Sequence, residues 1–314
     1  PRLSHGYCAT QNRVCLLVET HSLKPFTNRV YSTKSMMEHT ISFVNDNHRE
    51  ILLLNRAADK QTIKNYLVNK KKFPLVLAGN GKFDKYLFKG FEWNDEYSEI
   101  TGSTVRNYSD KPIEIEIPIF NKANSLKKIT VPAAYLIPKQ FTQVIEVIKA
   151  HQIKFNLVKD RKRLKVEKYR FDKLHFAQRP YEGRQLPSFN TTSFTETVEV
   201  EGGTLIVYTN QRLLRVIVNL LEPEAPDSFV NWGFFNAFFE RKEYAEAYVM
   251  EPYAKQMMKN DSNLRSEFYK KLEEAESFRN NSGERLDFFY KRSPFYDKGE
   301  NVYPIMRLLN KTNI

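Results

Sequence analysis

Cysteine is nearly absent from this 314-residue chain: there are two, Cys8 and Cys15, and no Cys-x-x-Cys pair. Their spacing indicates neither a zinc knuckle nor a thioredoxin-like redox motif. Cys15 lies in an apolar run and reads as a small buried thiol. No apolar stretch approaches the roughly 20 residues that a membrane helix needs, so no membrane span is expected. The opening residues, Pro1-Arg2-Leu3-Ser4, carry neither an initiator methionine nor a charged-then-apolar signal pattern. The expectation is a segment from the middle of something longer. No internal repeat or low-complexity linker breaks the chain.

The composition, 41% hydrophobic and 27% charged, is that of an ordinary globular protein, and the length allows two or three domains. The net charge of +12 is partly local: Lys154–Lys173 holds nine Lys/Arg against Asp160, Glu167 and Asp172. A basic stretch can mark a nucleic-acid surface. Here, however, the basic residues alternate with Leu164, Val166, Tyr169 and Phe171, the pattern of the solvent face of a strand. No nucleic-acid partner is expected.

The apolar spacing predicts a sequence of elements. RVCLLVE (Arg13–Glu19) reads as a strand buried on both faces, as in the interior of an α/β sheet. Helices are expected over about 28–47 and 50–70. Phe73–Ala78 reads as a strand, 92–105 holds a candidate for another, and PIEIEIPIF (Pro112–Phe120) alternates with period 2. Ala134–Ile137 and Phe155–Val158 flank a helical pattern that starts at Pro138. Thr195–Thr209 carries two strand-like runs around Gly202-Gly203, a hairpin signal. These strands suggest a β-sandwich. From Asp227 the chain turns helical, with an aromatic run over Phe229–Phe239 that reads as core. Pro294 and Pro304 limit helix near the end.

Glu19 is the sharpest chemical candidate, because ligands of open α/β sheets sit beyond the carboxyl ends of the strands. The structural alternative is an ion pair with Arg13 or Arg29. His21 reads as a loop histidine in ordinary hydrogen bonds. Arg179, Glu182 and Arg184, in the loop RPYEGR, read as an Arg–Glu pair bracing that loop.

Several segments carry a resemblance. Asn12-Arg13, LLVETHS (Leu16–Ser22) and MMEHTISFVNDN (Met36–Asn47) resemble the close of the catalytic domain in carboxypeptidase A-like zinc peptidases. YRFDKLHFAQRPYEGRQ (Tyr169–Gln185), NLLEPEAPDSFVNWGFFNAFFE (Asn219–Glu240) and KEYAEAYVMEPYA (Lys242–Ala254) resemble the C-terminal extension of a large bacterial branch of that family. The resemblance implies a general-base role for Glu19 at the end of a central strand, with a last long helix behind it. Tyr7 would stand for the family's mobile active-site tyrosine, at a spacing shorter than the family's. It also implies a zinc-bound water as nucleophile, a peptide or protein substrate, and an exported parent that is secreted or periplasmic.

The sequence departs from that family at the metal. Its first two ligands come as His-x-x-Glu, and none of His5, His21, His39, His48, His151 and His175 has Glu at the third following position. His5 stands too close before Glu19 to be the later ligand. The expected architecture is therefore mixed α/β and α+β in three parts. Residues 1–70 would close a catalytic domain, 71–226 would form a β-sandwich-like accessory domain, and 227–314 a helical segment. Zinc would belong to the full-length parent, whose N-terminal catalytic segment is missing here, and the chain alone would hold none and be inactive. The alternative is a non-catalytic binding or scaffolding module derived from such a peptidase.

Overall fold

The computed structural model describes residues 4–240 and 244–310, a mixture of helix and strand in which every strand pairing is antiparallel. In chain order the elements begin with helices α1 (Ser4–Thr10) and α2 (Phe26–Ile63). The strands β1 (Phe73–Gly79), β2 (Asp84–Ser98), β3 (Ser103–Ile119), β4 (Ala123–Ile129) and β5 (Ala134–Ile137) follow. Then come α3 (Thr142–Ala150), β6 (Asn156–Leu157), β7 (Lys162–Phe176), β8 (Pro187–Val200), β9 (Leu205–Tyr208) and α4 (Leu214–Leu221). Helices α5 (Ala247–Asn260), α6 (Ser262–Glu274), α7 (Glu276–Asn280) and α8 (Ser282–Tyr290) precede β10 (Met306–Leu308). By its internal contacts the chain divides into residues 37–131 and a second body made of 1–36 with 132–314. Strand β10 returns from the C-terminal segment to join β5 and β7 of the middle one.

The larger body is built on a six-stranded sheet of order β6-β9-β5-β10-β7-β8. All four residues of β5, Ala-Tyr-Leu-Ile, are buried, because β5 is central and covered on both faces. Tyr135, Ile137, Tyr169, Phe171, Leu205 and Val207 pack on one face against Val144 and Ile148 of α3 and Val216, Ile217 and Leu221 of α4. Phe229 and Phe235 join the same core. Leu136, Leu164, Val166, Ile206 and Met306 form the cluster of the other face. The basic stretch behaves as its alternation predicts: Leu164, Val166, Tyr169 and Phe171 are buried in β7. Its cations meet acidic residues on or just past β8, with Arg161 paired to Glu199 and Glu201, and Lys168 to Glu196 at 2.8 Å.

In the body of residues 37–131, β1 pairs with β4, and β2 with β3 in a long ribbon. Where two facing sheets were expected over 71–226, the structure has these two-stranded ribbons and one sheet whose face is covered by helices. The apolar stripe of α4, LRVIVNLL, already buries that face, so no second sheet is needed there.

Four local expectations change. The two helices expected before residue 70 are one helix of 38 residues, α2, since no Gly or Pro interrupts 26–63. The 195–209 hairpin does not pair with itself: β8 runs along β7, and β9 lies between β5 and β6. The aromatic run over 229–239 forms turns and a short 3₁₀ turn, Asn236–Phe239, rather than a helix, although it packs on the core as expected. Finally, Arg13–Glu19 forms no strand, and Val14 is 86% exposed. A strand buried on both faces needs neighbours to pair with, and none of the described strands runs beside it. Cys15 is accordingly half-exposed instead of buried.

The Gly202-Gly203 turn holds β9 in register: Gly203 N–H donates to the Val158 carbonyl at 2.8 Å, and Val158 N–H to the Thr204 carbonyl at 2.9 Å. A Cβ at Gly202 would stand 2.7 Å from the Lys159 carbonyl oxygen. Gly202→Ala is therefore expected to cost about 1–3 kcal/mol through forced backbone shifts. Urea denaturation of the variant checks this, and an unchanged midpoint refutes it.

Candidate functional site

The two residues singled out by sequence lie near the N-terminus of the described chain. Helix α1 ends in a left-handed cap: Asn12 has φ 57°, Asn12 N–H donates to the Ala9 carbonyl at 3.1 Å, and Arg13 N–H to the Cys8 carbonyl at 2.9 Å. Asn is one of the few side chains that tolerate this conformation. The capped end docks on the larger body through Arg215 to Asn12 Oδ1 at 2.9 Å and Arg212 to Gln11 Oε1 at 3.1 Å. Tyr7 completes the docking, its hydroxyl 2.7 Å from Nδ1 of His151 just past the end of α3. Burial lowers His151 below the ordinary histidine value. At neutral pH the ring is therefore uncharged, and its tautomer sets which of the two groups donates in this hydrogen bond. Tyr7 is thus tied to α3.

Glu19 follows on an exposed stretch without regular structure, ahead of α2. His21 accepts a hydrogen bond at Nδ1 from Leu23 N–H at 3.3 Å, the ordinary role expected of it. The RPYEGR loop is held by its backbone rather than by an Arg–Glu pair. Tyr181 and Arg184 exchange hydrogen bonds at 2.8 and 2.9 Å around Glu182 and Gly183, both at positive φ. That is the geometry of a tight hairpin turn.

Sequence reasoning missed the strongest polar constellation. Glu222, 1% exposed, accepts from the Tyr135 hydroxyl at 2.5 Å and the Tyr169 hydroxyl at 2.9 Å. Arg307 lies with Nε 3.0 Å from the same carboxylate, an ion pair without linear hydrogen-bond alignment, and its Nη1 donates to Glu167. Burial pushes the Glu222 carboxyl above the usual range, and Arg307 and the two hydroxyls offset part of that shift. Both hydroxyls are held well above the ordinary tyrosine value by burial and then by Glu222. Tyr169 and Glu222 begin or sit within the two motifs YRFDKLHF and NLLEPEAP. Their spacing could not reveal that they meet, because β7 and α4 come together only through the sheet.

The zinc that the resemblance implies finds no ligand set here: among the described residues no three His, Cys, Asp or Glu stand together as a metal ion requires. Compared with known proteins, the chain matches no family model, no curated protein and no solved structure. The peptidase resemblance rests on the motifs themselves.

Two outcomes follow. Arg307→Leu strands Glu222 and Glu167 without their cation, so it should cost about 3–5 kcal/mol, read as a fall in the denaturant midpoint. A loss below about 1 kcal/mol would mean that the pair contributes little. For His151, the unfolded chain binds its proton first as pH falls through about 6.5, since the folded value is lower. Stability that the neutral ring supplies is therefore present above that pH and lost below it. His151→Phe should show a smaller loss of stability than the native chain between about pH 7.5 and 5.5. Equal losses would show that the ring does not titrate as described.

Proposed function

We propose that this chain is the C-terminal portion of a zinc-dependent carboxypeptidase-like enzyme acting on peptide or protein C-termini, with Glu19 as the general base. One observation supports the reading above the others. The apolar run that leads to Glu19 stands in solvent, with Val14, Leu16 and Leu17 at 86%, 56% and 44% exposure. The long helix behind it likewise exposes Val30, Met36, Met37, Ile41, Phe43 and Val44. Apolar side chains gathered in solvent on a helix and on the extended run before it form a surface suited to cover by further structure. The strand and last helix of an α/β/α catalytic domain would look like this when described without the rest of that domain. In this reading the metal ligands and the substrate-carboxylate site are supplied from outside residues 1–314, in an exported parent. Residues 71–314 form its accessory part.

The role of Glu19 is to take the proton from the attacking water, a contribution of roughly 10²–10⁴-fold. In the complete enzyme, Glu19→Gln should therefore lower peptide release by about that factor with the bound zinc unchanged. A variant that keeps most of its activity excludes Glu19 as the base. For the chain alone, calorimetric titration should show no stoichiometric zinc binding tighter than about micromolar, since a catalytic site needs three protein ligands. Tight binding with chelator-sensitive hydrolysis would overturn the reading.

A further inference from the structure

A cavity of about 420 Å³ opens in the helical C-terminal segment, between the start of α5 and the end of α8. That volume lies within the range of about 300–1,000 Å³ typical of small-molecule sites. Its walls are chiefly aromatic: Tyr244 and Tyr253 from in and before α5, Tyr290 from the end of α8, and Phe295 from the turn beyond. Met250 and Tyr290, 2% and 7% exposed, belong to the buried cluster behind it, whereas Tyr244 and Phe295 are open to solvent. The Tyr253 and Phe295 rings meet at 63° with centroids 5.2 Å apart, an edge-to-face corner rather than a closed stack.

Among the described residues of the lining, the charged one is Glu246. It stands at the N-cap of α5, yet its side chain does not cap that helix. Its backbone carbonyl takes the helical bonds, accepting from Val249 N–H at 3.1 Å and Met250 N–H at 2.9 Å. Among the described residues, no Lys or Arg lines the cavity.

These features select a ligand by chemistry. Aromatic faces are negative and attract cations, and a carboxylate beside them adds attraction while repelling anions. A bare ammonium is strongly hydrated and costly to strip of water. A methylated ammonium carries its charge over apolar methyl groups and suits ring faces. We propose that this cavity is a binding site for a quaternary or methylated ammonium group, with the rings of Tyr244, Tyr253, Tyr290 and Phe295 around the methyls and Glu246 as counter-charge. The site does not depend on the role assigned to Glu19.

The test separates charge from shape. Choline and its uncharged carbon isostere, 3,3-dimethylbutan-1-ol, are titrated into the full chain and followed by tyrosine fluorescence and ligand-observed NMR. Choline should bind about tenfold more tightly than the isostere, within the range of cation–π attraction at partly desolvated sites. Tyr244→Ala should weaken choline about fivefold or more, whereas Tyr244→Phe, which keeps the ring, should not. Tyr244 is 72% exposed, so both variants should retain the native unfolding midpoint, which is measured alongside. Glu246→Gln should weaken choline and flatten its dependence on salt. Equal affinity for the isostere would reveal a merely apolar pocket and overturn the proposal. So would the absence of saturable choline binding, or choline affinity indifferent to Tyr244→Ala.

Discussion

Placing the Glu222 carboxylate out of water at the end of α4 costs several kcal/mol for that ion alone, and the larger body is arranged so that the cost is met. Arg307 reaches it from β10, and the hydroxyls of Tyr135 and Tyr169 reach it from β5 and β7. Four elements that are far apart in the chain must therefore be in place together. An apolar core tolerates sliding and repacking, but these polar contacts require particular atoms at particular distances. The network thus fixes β10 between β5 and β7 and seats α4 on the sheet. Tyr303 sits in the same interior with a buried hydroxyl that has no hydrogen-bond partner among the described residues.

The other parts of the molecule have no such centre. The β2–β3 ribbon carries Tyr86 and Phe88 opposite Ile117 and Ile115 on one face. Its other face bears an ion-pair ladder of Lys85 with Glu116 and Lys89 with Glu114. Surface pairs of this kind contribute little, and a two-stranded ribbon is only marginally stable unless its apolar face is covered. The run before Glu19 and the helix α2 show the same surplus of apolar surface. The C-terminal helices instead close on an aromatic cluster around Phe268, Phe278, Phe288 and Phe289. Their starts are set locally: Asp261 accepts from Asn263 and Leu264 N–H at 2.9 and 3.0 Å, and Asn281 caps α8 through Glu284 N–H at 3.1 Å.

Local pattern by itself determined the elements whose physics is local. The alternation in β7, the run of β5 and the amphipathic stripe of α3 all follow from side-chain periodicity and from where Gly and Pro fall. The candidate residues Tyr7 and Glu19 were legible only as residue types in motifs. Tertiary structure alone decided that Tyr7 is bonded to His151, that β8 and β9 separate instead of pairing, and that the last strand closes the sheet. It alone brought Tyr135, Tyr169, Glu222 and Arg307 together. The reason is range: periodicity reports which face of an element is apolar, whereas partners separated by dozens of residues are chosen by burial, register and the need to neutralise a buried charge.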